Sequence, residues 1–191
     1  MTKYDEAFLF LVPESTAVER TTLVHAAGRT GLVWAPDPAS AAEAAAELVA
    51  DGARLIELYR GFDLATAAPV IDAVAGRAPV GVAFGGPPAR HTVTIFESEQ
   101  ADPAQVRVVH EHEGGGTTTV IGAPDADIVA VAQEAVDAGA EVIQVCGGAP
   151  LTTAARVVAA IGDRATVTLT SWPFESIEGA VAYKRAFEAN A

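Results

Sequence analysis

The sequence predicts an α/β protein built from two tandem βαβαβαβ repeats with parallel strands. Three observations predict it: a segment that recurs about half a chain later, strands that alternate with helices in both copies, and strands with one aliphatic and one mixed face. The recurrence is the most direct. Gly52-Ala53-Arg54-Leu55-Ile56-Glu57-Leu58-Tyr59-Arg60-Gly61 aligns with Gly139-Ala140-Glu141-Val142-Ile143-Gln144-Val145-Cys146-Gly147-Gly148 at an offset of 87 residues. The alignment runs without gaps through Leu64/Leu151, Thr66/Thr153, Val70/Val157, Arg77/Arg164 and Val80/Val167, with about 13 of 34 positions identical. Ala35-Pro36-Asp37 recurs as Ala123-Pro124-Asp125, and Leu9-Phe10 as Ile95-Phe96. Shared turns and strands in the same order are the mark of an internal repeat.

The elements follow in chain order. In the first copy, strands are expected near 7–12, 31–35, 54–59 and 79–84, with helices near 16–26, 38–51 and 63–75. In the second, strands are expected near 92–97, 118–122, 141–146 and 166–171, with helices near 103–112, 126–138, 151–161 and 175–188. Asp37 can cap a helix with Pro38 at its first position, and Asp102-Pro103 repeats the device. Gly52, Gly139 and Gly162 stand where helices should stop. Alternating strands and helices imply a parallel sheet.

The strand faces discriminate between architectures. Ile56 and Leu58 alternate with Leu55, Glu57 and Tyr59; Ile143 and Val145 alternate with Val142, Gln144 and Cys146; Val167 and Leu169 alternate with Thr166, Thr168 and Thr170. A sheet with helices on both faces would be apolar throughout. A mixed inner face suits a barrel interior, so a small pseudo-twofold (βα)8-like barrel lacking its fourth helix is favoured. Two packed four-stranded α/β sheets are the alternative. The expected division is a first repeat over 1–85, a strap over 86–91 too short for a crossover helix, and a second repeat with an added C-terminal helix over 92–191.

Ala7-Phe8-Leu9-Phe10, Ile56-Glu57-Leu58-Tyr59-Arg60-Gly61-Phe62 and Pro79-Val80-Gly81 together resemble a bacterial family of domains of unknown function. Its pattern is an A-F-x-F strand, then I-E-L-C-G-G-F, then P-V-G. The resemblance covers most of residues 6–85; the second half shares mainly Ile143 to Gly148. The first half keeps the Glu but has Tyr59-Arg60 for Cys-Gly, and the second keeps Cys146-Gly147-Gly148 but has Gln144 for Glu. The family implies a fold and no reaction.

Composition excludes several functions. Twelve Lys and Arg against 25 Asp and Glu give a net charge of −13, a surface that repels nucleic acid and anionic membrane. No stretch approaches the length of a membrane span. Met1 to Glu6 lacks a basic segment leading into an apolar run, so no secretory leader is expected and the cytoplasm is the expected compartment. The single cysteine, Cys146, excludes an internal disulfide and a cysteine-based zinc site. There is no dinucleotide fingerprint, Walker pattern or Ser-His-Asp arrangement, and no cofactor is expected. His110-Glu111-His112-Glu113 has the look of a metal motif, but at a helix end its histidines would point apart, so no metal is expected there.

Glu57 is the leading catalytic candidate. A carboxylate in mid-strand on the mixed face is costly to bury unless hydrogen-bonded or protonated, and burial would suit it to acid–base work. Tyr59 and Cys146 occupy matching strand ends and are the other catalytic candidates, Cys146 because backbone N–H groups at the following helix start could lower a thiol pKa. Arg60, Gln144, Gly147, Gly148, Thr170 and Trp172 are candidate substrate-binding residues at the C-terminal strand ends. Arg60 could hold an anion or pair with Asp63, and the glycine pair could hold a phosphate or carboxylate. Trp172 and Trp34 could wall a pocket. Two functions fit: a small lyase, isomerase or cyclase, or a non-catalytic protein binding a small ligand, with an anionic substrate or ligand one open choice. The chain is expected as a monomer of pseudo-dimer architecture or as a homodimer.

Overall fold

The computed structural model describes residues 4–189. The first half contains β1 (Glu6–Leu11), β2 (Glu19–His25), β3 (Gly28–Ala35), α1 (Pro38–Ala50), β4 (Ile56–Leu58), α2 (Leu64–Val74) and β5 (Val80–Val82). The second contains β6 (His91–Glu97), β7 (Arg107–Glu111), β8 (Thr117–Ala123), α3 (Ile128–Asp137), β9 (Val142–Val145), α4 (Leu151–Ile161) and β10 (Thr166–Leu169), followed by α5 (Ile177–Glu188). The strand orders are β2-β3-β1-β4-β5 and β10-β9-β6-β8-β7, so corresponding strands hold corresponding places. Four strands of each sheet are parallel, and β2 and β7 pair antiparallel to β3 and β8.

The expected helices over 16–26 and 103–112 are these two antiparallel strands. Thr21, Thr22 and Val24 in one, and Val108 and Val109 in the other, are β-branched residues that favour a pleated surface. Asp102-Pro103 makes a turn instead of a helix start: Asp102 Oδ1 accepts the Ala104 N–H at 2.9 Å and its carbonyl accepts those of Gln105 and Val106. Gly114-Gly115-Gly116 is the hairpin turn between β7 and β8, with Gly115 and Gly116 at φ 79° and 105°, where a side chain would be strained. The other helix signals act as expected. Asp37 accepts the Ser40 N–H, and α2 adds a cap not read from the sequence, reciprocal between Asp63 and Thr66.

The sheets do not close into a barrel. Each ends in its antiparallel strand, and the two face one another with helices outside, as in the two-sheet alternative but with five strands each. The outer face of the first sheet, including Leu9, Val33, Ile56 and Leu58, packs on Leu48, Val70 and Val74 of α1 and α2. Its inner face, Phe8, Phe10, Leu32, Trp34 and Tyr59, shares a core with Phe96 and Cys146 of the second half. Alternation marks a face without helices, but it cannot tell a barrel lumen from a sheet–sheet contact, since both bury one mixed face. One backbone bridge joins the sheets at an edge, between Val82 and Ser171, with N···O distances of 2.9 Å both ways. Across the interior Phe10 stacks on Trp34 and Tyr59, and Phe8 meets Phe96 edge-on at 5.8 Å.

The expected division into 1–85, 86–91 and 92–191 places its strap after β5 and into the first residue of β6; residues 1–3 and 190–191, including half of the stretch read for a leader, lie outside the described residues. Among the described residues no helix is long and apolar enough to cross a membrane.

Candidate functional site

Strand alternation puts Glu57 on the inner face of β4, beside Phe8 of β1. It is 1% exposed and forms part of the wall of a cavity of about 240 Å³ between the sheets and α5. Glu57 Oε2 accepts the Tyr59 hydroxyl, and Oε1 accepts the Gly147 N–H at 2.9 Å. Burial drives its pKa up to about 7. The Tyr59 and Gly147 hydrogen bonds oppose the rise, and the charge of nearby Glu6 adds to it.

Glu6, at the start of β1, is a second buried carboxyl on this wall. It accepts hydroxyl hydrogen bonds from Thr30 at 2.8 Å and Tyr183 at 2.9 Å. His25 lies 3.8 Å away and shares Thr30 as a partner. Burial raises the Glu6 pKa and lowers that of His25, in each case favouring the neutral form over the charged one. Sequence reasoning missed Glu6, although its alternation with Phe8 put it on the same face as Glu57.

The second half supplies the opposite wall. Cys146 is buried there, its sulfur accepting the Glu97 N–H at 3.3 Å. Burial, with the charge of Glu57, pushes the thiol up to about 12, opposite to the lowering expected of a nucleophile. Gly147 is required to be small: a Cβ there would stand 2.6 Å from Trp172 Nε1 and 2.9 Å from Glu57 Oε1. Its N–H is already committed to Glu57, so the glycine pair is not the expected anion cradle. Gly148 lines the cavity and its carbonyl accepts Lys184 Nζ at 2.6 Å. Of the two tryptophans considered for a pocket wall, Trp172 lines the cavity, while Trp34 is in the core, stacked on His110 at 4.1 Å. Thr170 lies behind the wall, its methyl against Gly81 and its hydroxyl toward Tyr59. Ser98 is fully buried on the wall with no hydrogen-bond partner for its hydroxyl.

The cover is α5, which contributes Tyr183, Lys184 and Phe187. None of its residues is fully buried. Lys184 also approaches Glu97 at 3.8 Å and Glu188 at 3.2 Å. These residues had no signal in the sequence beyond that of an added helix.

Arg60 and Gln144 do not join this site. They line a second cavity of about 720 Å³ at the C-terminal strand ends of the first sheet. Gln144 Oε1 accepts the Arg60 N–H at 3.1 Å. The Arg60 guanidinium donates to the carbonyls of Leu11 and Ala89 and lies 3.7 Å from Glu14, which takes the place expected of Asp63. The bonds Gly147 N–H to Glu57 and Arg60 N–H to Gln144 are the same bond at positions related by 87 residues, made once in each direction between the halves. The two cavities are therefore twofold equivalents.

His110 lies on β7 and His112 directly follows that strand, in extended chain where positions two apart share a face, and their rings are 5.5 Å apart. His110 contacts Glu19 at 3.0 Å, and His112 bonds Thr118 and is held down at about 4, mainly by burial. No three or more His, Cys, Asp or Glu converge as a metal set among the described residues.

The model of one family, described as a family of unknown function (DUF6506), matches the chain twice, over residues 4–94 and 83–185. No curated protein and no solved structure matches it.

Proposed function

Since the chain belongs to the DUF6506 family, in tandem, and that family brings no reaction with it, we propose a function from geometry alone: proton transfer on a small molecule in the first cavity, with Glu57 as acid and base. The chemistry is that of a cofactor-independent lyase, isomerase or cyclase. The observation that carries this reading is the buried Glu57 carboxyl on the cavity wall, with a pKa of about 7. Near neutral pH such a group is present in both forms, the condition under which one residue can take a proton and return it. Tyr59 and Gly147 hold it in place and leave one lone pair on each oxygen for substrate. Phe8, Phe96, Trp172 and Phe187 give apolar surface, and the lining sets five glutamates, Glu6, Glu57, Glu97, Glu99 and Glu188, against one lysine, Lys184, a balance that disfavours an anion. The expected substrate is therefore neutral or cationic, and the anionic ligand considered from Arg60 belongs elsewhere. One chain provides both walls.

Deuterium incorporation into a panel of small neutral and cationic carbonyl compounds in D2O, followed by proton NMR, tests this. Exchange that Glu57→Gln slows by about two orders of magnitude is expected for loss of a positioned acid–base group. Exchange that persists in Glu57→Gln would refute it. Both Glu57 oxygens already accept a hydrogen bond, and this favours a second reading, a non-catalytic binding pocket. That reading expects saturable quenching of Trp172 fluorescence by a panel compound without exchange.

A further inference from the structure

We propose that the second cavity is a separate binding site for a small organic anion bearing a carboxylate or phosphate group, with Arg60 as its countercharge. The starting point is the twofold equivalence of the cavities. Phe8 pairs with Glu57 across β1 and β4, and Thr94 pairs with Gln144 across β6 and β9. Glu6 pairs with Thr30, and Thr92 with Thr118. Glu6 thus corresponds to Thr92, Glu57 to Gln144, and Gly147 to Arg60. At all three positions the difference has the same electrostatic sign. Two buried carboxyls are replaced by a hydroxyl and an amide, and one glycine by a guanidinium. The backbone hydrogen bond at the centre of each site is kept, at 2.9 and 3.1 Å. Loss of a redundant site would account for the missing carboxyls; it would not account for a cation placed in the floor.

The charges around this cavity leave Arg60 available. Asp63 caps α2 through Thr66, and Glu141 accepts the N–H groups of Arg90 and His91. Those two carboxylates are committed to backbone. Arg60 itself donates to two neutral carbonyls, its Nε is buried without a partner, and its side chain is 11% exposed. Its nearest carboxylate, Glu14, is 3.7 Å away and 44% exposed, a loose and solvated partner. Burial depresses the Arg60 pKa, as expected for a desolvated cation without a close countercharge. Arg90 stands on the rim beside Gly115. The volume of about 720 Å³ is that of a small-molecule site. A planar guanidinium in a partly enclosed pocket suits an oxyanion, which it can meet with two parallel hydrogen bonds.

The site does not depend on chemistry at Glu57, and the experiment keeps the two apart. The full chain is titrated with inorganic phosphate in one arm and succinate in another, following backbone amides and the Arg60 Nε–H resonance by NMR. Saturable shifts at Arg60, Gly61 and Gly115 are expected with at least one probe, at a Kd of about 1 mM or tighter. Arg60→Gln should weaken binding about tenfold or more, and Glu57→Gln should leave it unchanged. Glu14→Gln, at an exposed position, should tighten binding about threefold by removing the competing carboxylate. Absence of saturable shifts with both probes, shifts at the first cavity instead, or binding indifferent to Arg60→Gln would overturn the proposal. If Arg60→Gln does not fold, an unchanged affinity in Glu14→Gln overturns it.

Discussion

Glu57 carries a cost that can be measured without knowing a substrate. Its pKa rises from 4.5 to about 7 on folding, so the native state binds this proton more tightly than the unfolded chain does. The stabilisation is complete below pH 4.5 and is lost as the pH rises through about 7. A shift of this size corresponds to about 3 kcal/mol at most. Glu6 shifts the same way, so the informative quantity is the difference between proteins. Urea unfolding from pH 5 to 8 should show native stability falling relative to Glu57→Gln, with the two curves parallel above pH 8; parallel curves throughout would contradict the assignment. Glu57 was legible in the sequence because a lone carboxyl interrupts an aliphatic alternation. Arg60 and Gln144 were misplaced because an offset of 87 residues identifies equivalent positions but not that equivalents across a twofold axis face opposite ends.

The elements separate local signals from tertiary ones. The Asp37 cap was readable because its signal is local, and the reciprocal bonds of Asp63 and Thr66, not read from the sequence, are equally local. Asp63→Ala should therefore lower the thermal midpoint, with no effect on Glu57 titration. The strands β2 and β7 were not readable as such, because their apolar residues are few and their other face is exposed; only their β-branched content spoke against helix. The turn after β9 is fixed by contacts no local pattern contains. Gly147→Ala would drive a methyl into Trp172 and the Glu57 carboxyl. A cost of about 1–3 kcal/mol is expected, together with a shifted Trp172 emission. A neutral effect on both would mean the wall is looser than described.

In the whole molecule, duplication yields a pair of facing sheets whose shared interior is both core and site. The α/β class, the repeat and the helix-free face were legible in the strand pattern. Closure was not, because the deciding feature is the antiparallel strand at the edge of each sheet, hidden in the two segments expected to be helices. The central consequence is that the first site is composite: its two most buried carboxyls, Glu6 and Glu57, come from one half, and the backbone donor and cysteine wall from the other. The most direct test is the pH titration of the Gly147 amide by 15N–1H NMR. Its N–H donates to Glu57 across the halves, so it should titrate with a midpoint of about 7 and lose that transition in Glu57→Gln. A Gly147 amide that is flat from pH 5 to 9, or that keeps its transition in Glu57→Gln, would contradict the composite site.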